Sequence, residues 1–449
     1  MIVAFAMIAA VYIFDCVWAK RLCSDKKLNK RISVVTEKKY MIEICIFIVS
    51  FLILFILNGN KHIVYNNYSY LADAFLHGHI DTPELPAYLE SVEIGGHKYM
   101  HFAPGPAVLS MPFVAIWGIK GFNAGWLCMV LGAVNCVLFY KLLENMKIGE
   151  TLRDRLWFTA FAVFGTVHFF LAAVAHSWFL GHVSTWFFLL LAMCLITKEK
   201  PKNQNINYLL SGFFYACAVT CRFSNLLAAI FFIGYIMLRK EDKLKGILLF
   251  GCGAVLPGGL YMLLNYVRFG TIIDKSYNLT HLKDYFRDRY DIMQTLPTTK
   301  EQIEYLNNAE KEVGGPLQLK FMRYNLYSIF LMMPKFQAEY PYIIPLTTGV
   351  SITFLSPALY FMFSADWKKD KLTWILLLTM IASAFPFLLN YGNGMAQFGM
   401  RYAMDFLPYM ILLACMGMRS VNRIKTLIIS YCIFANVWGP IYWRFFYLK

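Results

Sequence analysis

The sequence is poor in charge for its length. Only 15% of its 449 residues are Asp, Glu, Lys or Arg, whereas soluble domains carry roughly a quarter. Hydrophobic residues make up 59% and aromatic residues 17%, and so much apolar surface cannot remain solvated in a disordered chain. The composition therefore excludes a soluble globule and a disordered polymer, and it predicts a polytopic membrane protein.

Cysteine placement excludes two further classes. None of the eleven cysteines lies in the long polar stretches 59–123 and 267–345, and their spacing does not match a zinc site. A disulfide framework and a structural metal site are therefore not expected. The sequence also shows no internal repeat and no low-complexity tract.

Apolar stretches that predict membrane spans recur along the whole chain. A spanning segment has to satisfy all its backbone polar groups internally, which favours helices of about 20 apolar residues. About twelve stretches fit this description: 1–19, 41–58, 124–143, 156–175, 179–197, 208–221, 224–238, 246–266, 346–363, 372–390, 405–418 and 426–443. The predicted fold is an all-α integral membrane protein with about twelve transmembrane helices.

The net charge of +15 follows this predicted topology. Alternate connections carry 24 of the 42 Lys and Arg residues, and they are short: 20–40, 144–155, 198–207, 239–245, 364–371 and 419–425. Short basic loops mark the cytoplasmic face of a membrane protein. The charge thus indicates topology rather than a nucleic-acid partner. The expected location is a plasma membrane, and the cysteine-free outer loops fit a bacterial one.

The chain is predicted to be a single polytopic domain, 1–449, with two long outer loops at 59–123 and 267–345. In the second loop, helical spacing over 300–312 predicts a helix that a Gly-Gly-Pro sequence ends. Residues 321–336 are apolar enough to return to the membrane surface as an interfacial helix. This loop could form a lid or an acceptor platform over the first loop.

The first outer loop combines apolar helical patterns with acids, histidines and tyrosines. Spacing over 67–78 predicts an amphipathic helix that Gly78 ends. Residues 104–119 predict a second helix along the outer interface, entered through a Pro-Gly-Pro sequence. Such a loop suits the positioning of a lipid phosphate beside a hydroxyl acceptor. The alternative is a solvated loop with ordinary turn chemistry.

Three segments carry a family resemblance. YLADAFLHGHID (70–81), followed by GGHKYMHFAPGPAVLSMPFVAIWG (95–118), resembles the first extracytoplasmic loop of GT-C glycosyltransferases. It is most similar to the bacterial group related to protein mannosyltransferases and lipid A aminoarabinose transferases. NYVRFGTIIDKSYN (265–278) and NGMAQFGMRYAMDFLPYMILL (393–413) are similar to motifs of the same group.

The resemblance implies a GT-C-like fold with interfacial helices in the first outer loop, and an enzyme whose donor is a sugar on a polyprenyl phosphate. The acceptor would be an extracytoplasmic lipid, glycan or protein, and transfer would proceed with inversion. Membrane lipids surround such a site. Some enzymes of this class use a divalent cation beside acidic loops, and nothing in this sequence requires one, so no metal or other cofactor is assigned.

The family resemblance also implies an acidic residue in the first outer loop that deprotonates or orients the acceptor. Many relatives carry this acid at the start of the interfacial helix, where this chain has Asn66 and Asn67. The candidates here are therefore Asp73, then Asp81, then Glu93. For Asp73 the alternative is a helix-surface charge paired with a neighbouring histidine.

Basic and tyrosine side chains are expected to bind the donor phosphate. Arg401 is the first candidate, with Asp405 four residues later to fix its orientation, although the same spacing also fits a simple local salt bridge. Arg222 interrupts an apolar stretch and marks either a hairpin tip at the outer surface or a side chain in the phosphate cavity. Three further candidates lie in the first loop: Lys98, Tyr99 and His101.

Two other function classes stay open on the sequence. A non-catalytic transporter or flippase for lipid-linked saccharides would need acids and cations deep within its spans. Apart from Arg222, the predicted spans hold almost none, and this asymmetry favours chemistry at the surface. A carrier-binding scaffold without turnover is the other alternative, because Asn66 and Asn67 stand where relatives carry the acid.

Overall fold

The computed structural model describes residues 39–60, 63, 65–199, 203–239, 242–285, 299–394 and 396–447. The predicted span 1–19 lies outside them. The described chain is mostly helical, with helices α1 (Lys39–Asn58), α2 (Asn67–Leu76), α3 (Gly105–Gly121), α4 (Ala124–Asn145), α5 (Leu152–Phe164), α6 (Val167–Val174), α7 (Ser177–Thr197), α8 (Gln204–Cys221), α9 (Ala229–Leu238), α10 (Lys243–Phe269), α11 (Ser276–Tyr285), α12 (Thr299–Val313), α13 (Met322–Phe330), α14 (Ile352–Leu355), α15 (Lys371–Leu389), α16 (Leu407–Met418) and α17 (Arg423–Tyr442).

Short 3-10 helices and strands connect these helices. The 3-10 helices run over Phe223–Ala228, Leu319–Phe321, Pro357–Ser364 and Arg401–Asp405, and α17 continues as a π-helix over Trp443–Tyr447. The strands are β1 (Val92–Ile94), β2 (His97–Tyr99), β3 (Lys335–Phe336), β4 (Ile343–Ile344), β5 (Thr348–Val350) and β6 (Gln397–Gly399). They pair two by two, antiparallel for β1–β2 and β3–β4 and parallel for β5–β6.

Six of the described helices are long and apolar enough to cross a membrane: α1, α4, α7, α10, α15 and α17. Helices α5 and α6 meet at a 61° bend and together would form a seventh span. Two shorter apolar segments, Phe223–Leu238 and α16, accompany them. The chain is thus a helical membrane protein, and the predicted count of about twelve spans is not confirmed.

The predicted span 346–363 is wrong as a single helix. Strand β5 occupies its start, Ser351 caps the four-residue helix α14, and the chain then continues as the 3-10 helix Pro357–Ser364. The Ser356 hydroxyl donates to the carbonyl of Gly165 at 2.8 Å. Hydropathy registered the apolar composition of this stretch, while two serines and a proline divide its backbone into short pieces.

Four of the six connections predicted to be cytoplasmic meet at one end of the helix bundle. Asn145 donates to the carbonyl of Cys194 at 2.9 Å, and Arg239 donates to the carbonyl of Ile196 at 2.8 Å. The carboxylate in the first turn of α5 accepts from the backbone N–H of Val421 at 2.7 Å. These contacts join the connections after α4, α7, α9 and α16, so the opposite helix ends and both long loops share the other side.

Helices α4 and α7 lie at the centre of the bundle, where most of their side chains are buried. Helices α1, α10 and α15 leave most of their side chains partly or fully exposed. Such exposure is costly in water but suits a surface that faces lipid acyl chains. The core that positions the outer helix ends is therefore built around α4 and α7.

The first outer loop folds as two helices joined by a hairpin. Helix α2 confirms the amphipathic helix predicted at 67–78, and Gly78, with φ +77°, stands just beyond its end. Helix α3 confirms the helix predicted at 104–119, and exposed Ile116 and Trp117 give it an apolar surface. Between them, the β1–β2 hairpin packs on the end of α10 in a small second core.

The second outer loop contributes α11, α12 and α13. Helix α12 confirms the helix predicted over 300–312, and Gly314 and Gly315 follow it with positive φ. The apolar stretch 321–336 forms α13 and then strand β3 instead of one continuous helix. Strand β5 pairs in parallel with β6, and this pairing fixes the segment that leads into Arg401.

Candidate functional site at the outer helix ends

The outer end of α8 is held by the start of α3. A Cβ atom at Gly105 would lie 2.5 Å from the Cys221 sulfur and 2.9 Å from its backbone nitrogen, so only glycine allows this approach. The next residue, Arg222, leaves the helix with extended backbone dihedrals. The Pro-Gly-Pro sequence therefore both starts α3 and brings it against the residue that precedes Arg222.

Arg222 and Asp405 form a two-pronged ion pair. The guanidinium Nε and NH2 groups donate to the two carboxylate oxygens at 2.8 and 2.9 Å. Ser224 donates to the same carboxylate at 2.7 Å and Asn225 at 3.2 Å. Asp405 is 1% exposed. A carboxylate so deeply buried is tolerated because four hydrogen bonds and a cation replace its water.

Arg401 lies near a tyrosine ring that Arg222 also approaches. The guanidinium carbons of Arg222 and Arg401 are each 5.3 Å from the centre of the Tyr402 ring. Arg401 also lies 5.9 Å from the ring centre of Trp178, at the start of α7. A Cβ at Gly394 would come within 3.2 Å of the Arg401 guanidinium carbon. Arg222, Arg401, Tyr402 and Asp405 are called the arginine site below.

The structure corrects one detail of the predicted arginine site. The sequence predicted that Asp405 orients Arg401, on the assumption of an α-helix that places residues four apart on one face. The segment is a 3-10 helix, in which residues four apart point about 120° away from each other. Asp405 instead orients Arg222. Arg222 lies at a break between helices, as a hairpin tip would, and its side chain points inward.

A tyrosine of the second outer loop lies near the arginine site. The Tyr277 hydroxyl in α11 donates to the Asn390 side chain at 2.9 Å. Burial raises the pKa of Tyr277, while the charges of Arg222 and Arg401 act to lower it, so its hydroxyl is within electrostatic range of both. The charges of Arg222 and Arg401 therefore act on a residue of the second loop, while the first loop reaches the residue before Arg222 at Gly105.

Glu90, which the sequence did not single out, lies at the edge of this site. The Trp178 indole N–H donates to its carboxylate at 2.8 Å, and His101 Nε2 lies 3.6 Å from the same oxygen. Asn67 donates to the Glu90 backbone carbonyl at 3.4 Å. Trp178 thus contacts both Glu90 and Arg401. Glu90 stands 88 residues from Trp178, so no local sequence pattern indicates this contact.

Asp73 and Asp81 lie among histidines at the outer surface. His77 approaches Asp73 to 3.5 Å from the next turn of α2. His97 contacts Asp81 at 2.8 Å and His79 contacts it at 3.6 Å. These five residues are called the histidine surface below. Burial acts to raise the pKa of Asp81, but the hydrogen bond with His97 and the charges of His97 and His79 hold it below the ordinary 3.8.

Glu93, Lys98 and Tyr99 belong to the β1–β2 hairpin. Glu93 stands opposite Lys98 in the strand register. Tyr99 is buried against Phe269, with a ring-centre distance of 5.4 Å. The structure therefore gathers these residues in the hairpin and its small core, and it places Arg222, Arg401 and Asp405 in the arginine site. The predicted roles of Glu93, Lys98 and Tyr99 stay predictions.

Arg268 joins the hairpin to the end of α10. It is buried, donates to the Ile80 carbonyl at 2.8 Å, and lies 5.7 Å from the Tyr99 ring centre. Asp274 follows in the loop and accepts from the Ser276 N–H at 2.8 Å. Burial raises the pKa of Asp274 above 3.8, although the Ser276 hydrogen bonds and the charges of Arg268 and His101 act in the opposite direction.

Metal-binding geometry is absent from the part of the chain that the structure describes. There, no three His, Cys, Asp or Glu side chains are grouped so that they could hold a metal ion.

Comparisons with known proteins give one structural likeness. No protein-family model matches the chain, and no curated protein matches it. Among solved structures, it is similar to the oligosaccharyltransferase of Archaeoglobus fulgidus, solved with a tethered acceptor peptide that contains an NVT sequon. The TM-score is 0.46 at 11% identity, over 84% of this chain and 49% of the other. The chain thus spans about half the length of that enzyme, and its function has to be inferred from its own residues.

Proposed function

We propose that this protein is a membrane glycosyltransferase that moves a sugar from a polyprenyl-phosphate donor to an acceptor at the outer face of the membrane. The observation that carries this proposal is the arginine site. Two arginines lie near one tyrosine ring at the helix ends that carry the two long loops, and these loops bear carboxylates and histidines. Buried cations at that depth suit the phosphate of a lipid carrier whose polyprenyl chain lies in the bilayer.

The two arginines are arranged to stabilise a departing phosphate. When the bond between the sugar and the phosphate breaks, negative charge develops on the phosphate oxygens, and fixed cations lower the energy of that state. Asp405 fixes the Arg222 guanidinium, and Trp178 and Tyr402 flank that of Arg401. The start of α3, whose backbone N–H groups carry partial positive charge, lies next to Cys221 and adds to this field.

The acceptor hydroxyl would approach from the side of the first outer loop. A hydroxyl is a poor nucleophile, so a nearby carboxylate has to take its proton as the new glycosidic bond forms. Asp73, Asp81 and Glu93 are the carboxylates proposed from the sequence, and Glu90 joins them on its position. Direct displacement on the anomeric carbon, from the side opposite the phosphate, would invert its configuration.

The test is donor binding and sugar transfer by the purified full chain in nanodiscs. A panel of polyprenyl-phosphate sugars would be offered with crude cell-envelope acceptor, comparing wild type with Arg401→Ala. We expect the substitution to weaken donor binding and to lower transfer at least 100-fold, because one buried phosphate contact is lost. Arg323→Ala is the matched control, since Arg323 is an exposed arginine in α13.

The outcomes separate the three function classes. Transfer that depends on Arg401 but not on Arg323 supports the enzyme. Arg401-dependent binding of the donors without turnover, across the panel, supports a carrier-binding scaffold instead. Movement of labelled donor between the two leaflets of a reconstituted vesicle, without transfer to acceptor, supports the transporter or flippase.

A further inference from the structure

We propose that Glu90 is the catalytic base that takes the proton from the acceptor hydroxyl. This inference rests on the proposed function, which leaves the base unassigned among four carboxylates. Asn66 and Asn67 occupy the start of α2, where relatives carry an acid. The loop places Glu90 beside that position instead. The evidence is the position of Glu90, its partners and its accessibility.

The loop holds Glu90 against the start of α2. Asn67, the first residue of that helix, is buried, and its side-chain amide donates to the Glu90 backbone carbonyl. The preceding residue, Leu89, is 3% exposed and Leu85 is 5% exposed, so both side chains are buried and hold the turn in place. Thr82 donates to the Lys98 carbonyl through its backbone N–H at 2.7 Å and its hydroxyl at 3.1 Å. The Glu90 backbone is therefore fixed on both sides of the turn.

The Glu90 side chain is both held and accessible. One carboxylate oxygen accepts from the Trp178 indole and lies near His101 Nε2. The side chain is nevertheless 49% exposed, which leaves room for an acceptor hydroxyl. Trp178 connects it to the arginine site, since the same ring lies 5.9 Å from the Arg401 guanidinium carbon. A sugar bound over Trp178 would have the base at one side and the phosphate-binding arginine at the other.

The proposed reaction is a single displacement at the anomeric carbon of the donor sugar. The acceptor oxygen forms a bond to the anomeric carbon, and the bond from that carbon to the phosphate oxygen breaks. The bonding electrons leave with the polyprenyl phosphate, whose added negative charge faces Arg401 and Arg222. The acceptor proton moves to the Glu90 carboxylate, and His101, 3.6 Å away, can stabilise that carboxylate while it is ionised.

The three acids that the sequence proposed as bases contact other residues and not Trp178. Asp73 meets His77 on the surface of α2, and Asp81 is 13% exposed between two histidines. Glu93 stands in the hairpin opposite Lys98. Unlike these three acids, Glu90 has a contact that leads to the arginine site through Trp178.

The experiment compares Glu90→Gln with Glu84→Gln in the full chain, using the donor-binding and transfer assays together. Glutamine keeps an oxygen that can accept from Trp178 but cannot take a proton at neutral pH. We expect Glu90→Gln to lower kcat by a factor of roughly 10² to 10⁴ with donor binding unchanged. Glu84→Gln should match wild type, because Glu84 is exposed in the same loop. Glu90→Asp should recover part of the lost rate.

The results distinguish failure of this inference from failure of the proposed function. Wild-type transfer that Glu90→Gln leaves intact overturns the role of Glu90 and leaves the enzyme standing. A loss of donor binding in Glu90→Gln, or a raised KM with kcat unchanged, assigns Glu90 a positioning role and also overturns it. A wild-type chain that neither binds donor nor transfers sugar overturns both. Trp178→Phe, which removes the indole N–H while Glu90 stays, should lower kcat less than Glu90→Gln.

Discussion

Two groups of paired charges lie on the outer side of this protein, and they differ in how much water reaches them. In the arginine site Asp405 is 1% exposed and is bound by Arg222, Ser224 and Asn225. In the histidine surface, the Asp73 side chain is 29% exposed and that of its partner His77 is 69% exposed. Both groups pair carboxylates with cationic or titratable side chains. The carboxylate of the arginine site is almost fully buried, whereas the histidines of the histidine surface are more than half exposed.

This difference indicates where binding chemistry is concentrated. A buried ion pair is weak evidence for stability, because desolvation costs about as much as the attraction returns. A membrane protein that nevertheless buries two arginines and a carboxylate at its helix ends has reason to keep them for a charged ligand. An exposed ion pair costs little to maintain and contributes roughly 0–1 kcal/mol to stability. Its presence is therefore not evidence for a ligand.

The largest effect is expected from Asp405→Ala. This change would leave Arg222 as a buried cation without its two-pronged partner, which costs roughly 3–5 kcal/mol when a buried pair is broken from one side. We expect a clear fall in thermal stability, measured by the unfolding midpoint of the purified protein in detergent. Asp405→Asn should fall less, because its amide oxygen can still accept from Ser224 or Asn225.

A double substitution serves as the control for that experiment. Replacement of both Arg222 and Asp405 by methionine removes both charges and keeps apolar volume, so much of the lost stability should return while transfer stays absent. Equal destabilisation by Asp405→Ala and by Asp73→Ala would contradict the contrast between the two groups.

Smaller effects on stability are expected from two aspartates of the outer loops, Asp81 and Asp274, and the two effects should have opposite signs. The pKa of Asp81 is lowered, so its ionised form stabilises the fold above pH 3.8, and this contribution is lost as the pH falls through the lowered value. The pKa of Asp274 is raised, so its contribution is fully present below pH 3.8 and is lost as the pH rises through the raised value.

At neutral pH, Asp81→Asn should therefore lower the unfolding midpoint and Asp274→Asn should raise it or leave it unchanged. Asparagine at 274 keeps an oxygen for the Ser276 N–H and removes the cost of a buried charge. Both differences from wild type should shrink at low pH. For Asp274→Asn this happens below pH 3.8, and for Asp81→Asn it happens only below the lowered pKa of Asp81, where the wild-type carboxyl is protonated in the folded state as well. Shifts of the same sign for the two variants at neutral pH would disprove this assignment.

The elements that sequence patterns predicted well are those that local spacing determines. Helices α2 and α12 have their own apolar or charged periodicity and glycines beyond their ends, so their bounds came out within a few residues. The division of 346–363 was not predictable from hydropathy, because a short helix and a 3-10 helix can be as apolar as a span.

The candidate site was predictable in its residue types but not in its pairs. Arg222 stood out because a charge within an apolar stretch is costly, and Arg401 and Asp405 stood out because they are four residues apart at the outer end of a predicted span. Their partners depend on tertiary packing: Arg222 meets Asp405 across 183 residues. Glu90 was not predicted for the same reason, because its contact with Trp178 joins residues far apart in the sequence and forms only when the first loop folds back on α7.

The smallest effect is expected from Asp73→Asn, although the sequence made Asp73 the first candidate for the base. Its side chain faces His77 at 3.5 Å on the exposed side of α2, and such a pair contributes at most about 1 kcal/mol. Transfer rates and unfolding midpoints of this variant should lie close to those of wild type. A variant that inserts and binds donor normally but has lost transfer, beside an active Glu90→Gln, would return the base to the histidine surface. The contrast would then reverse, because the accessible group would perform the proton transfer and the buried group would only hold the phosphate.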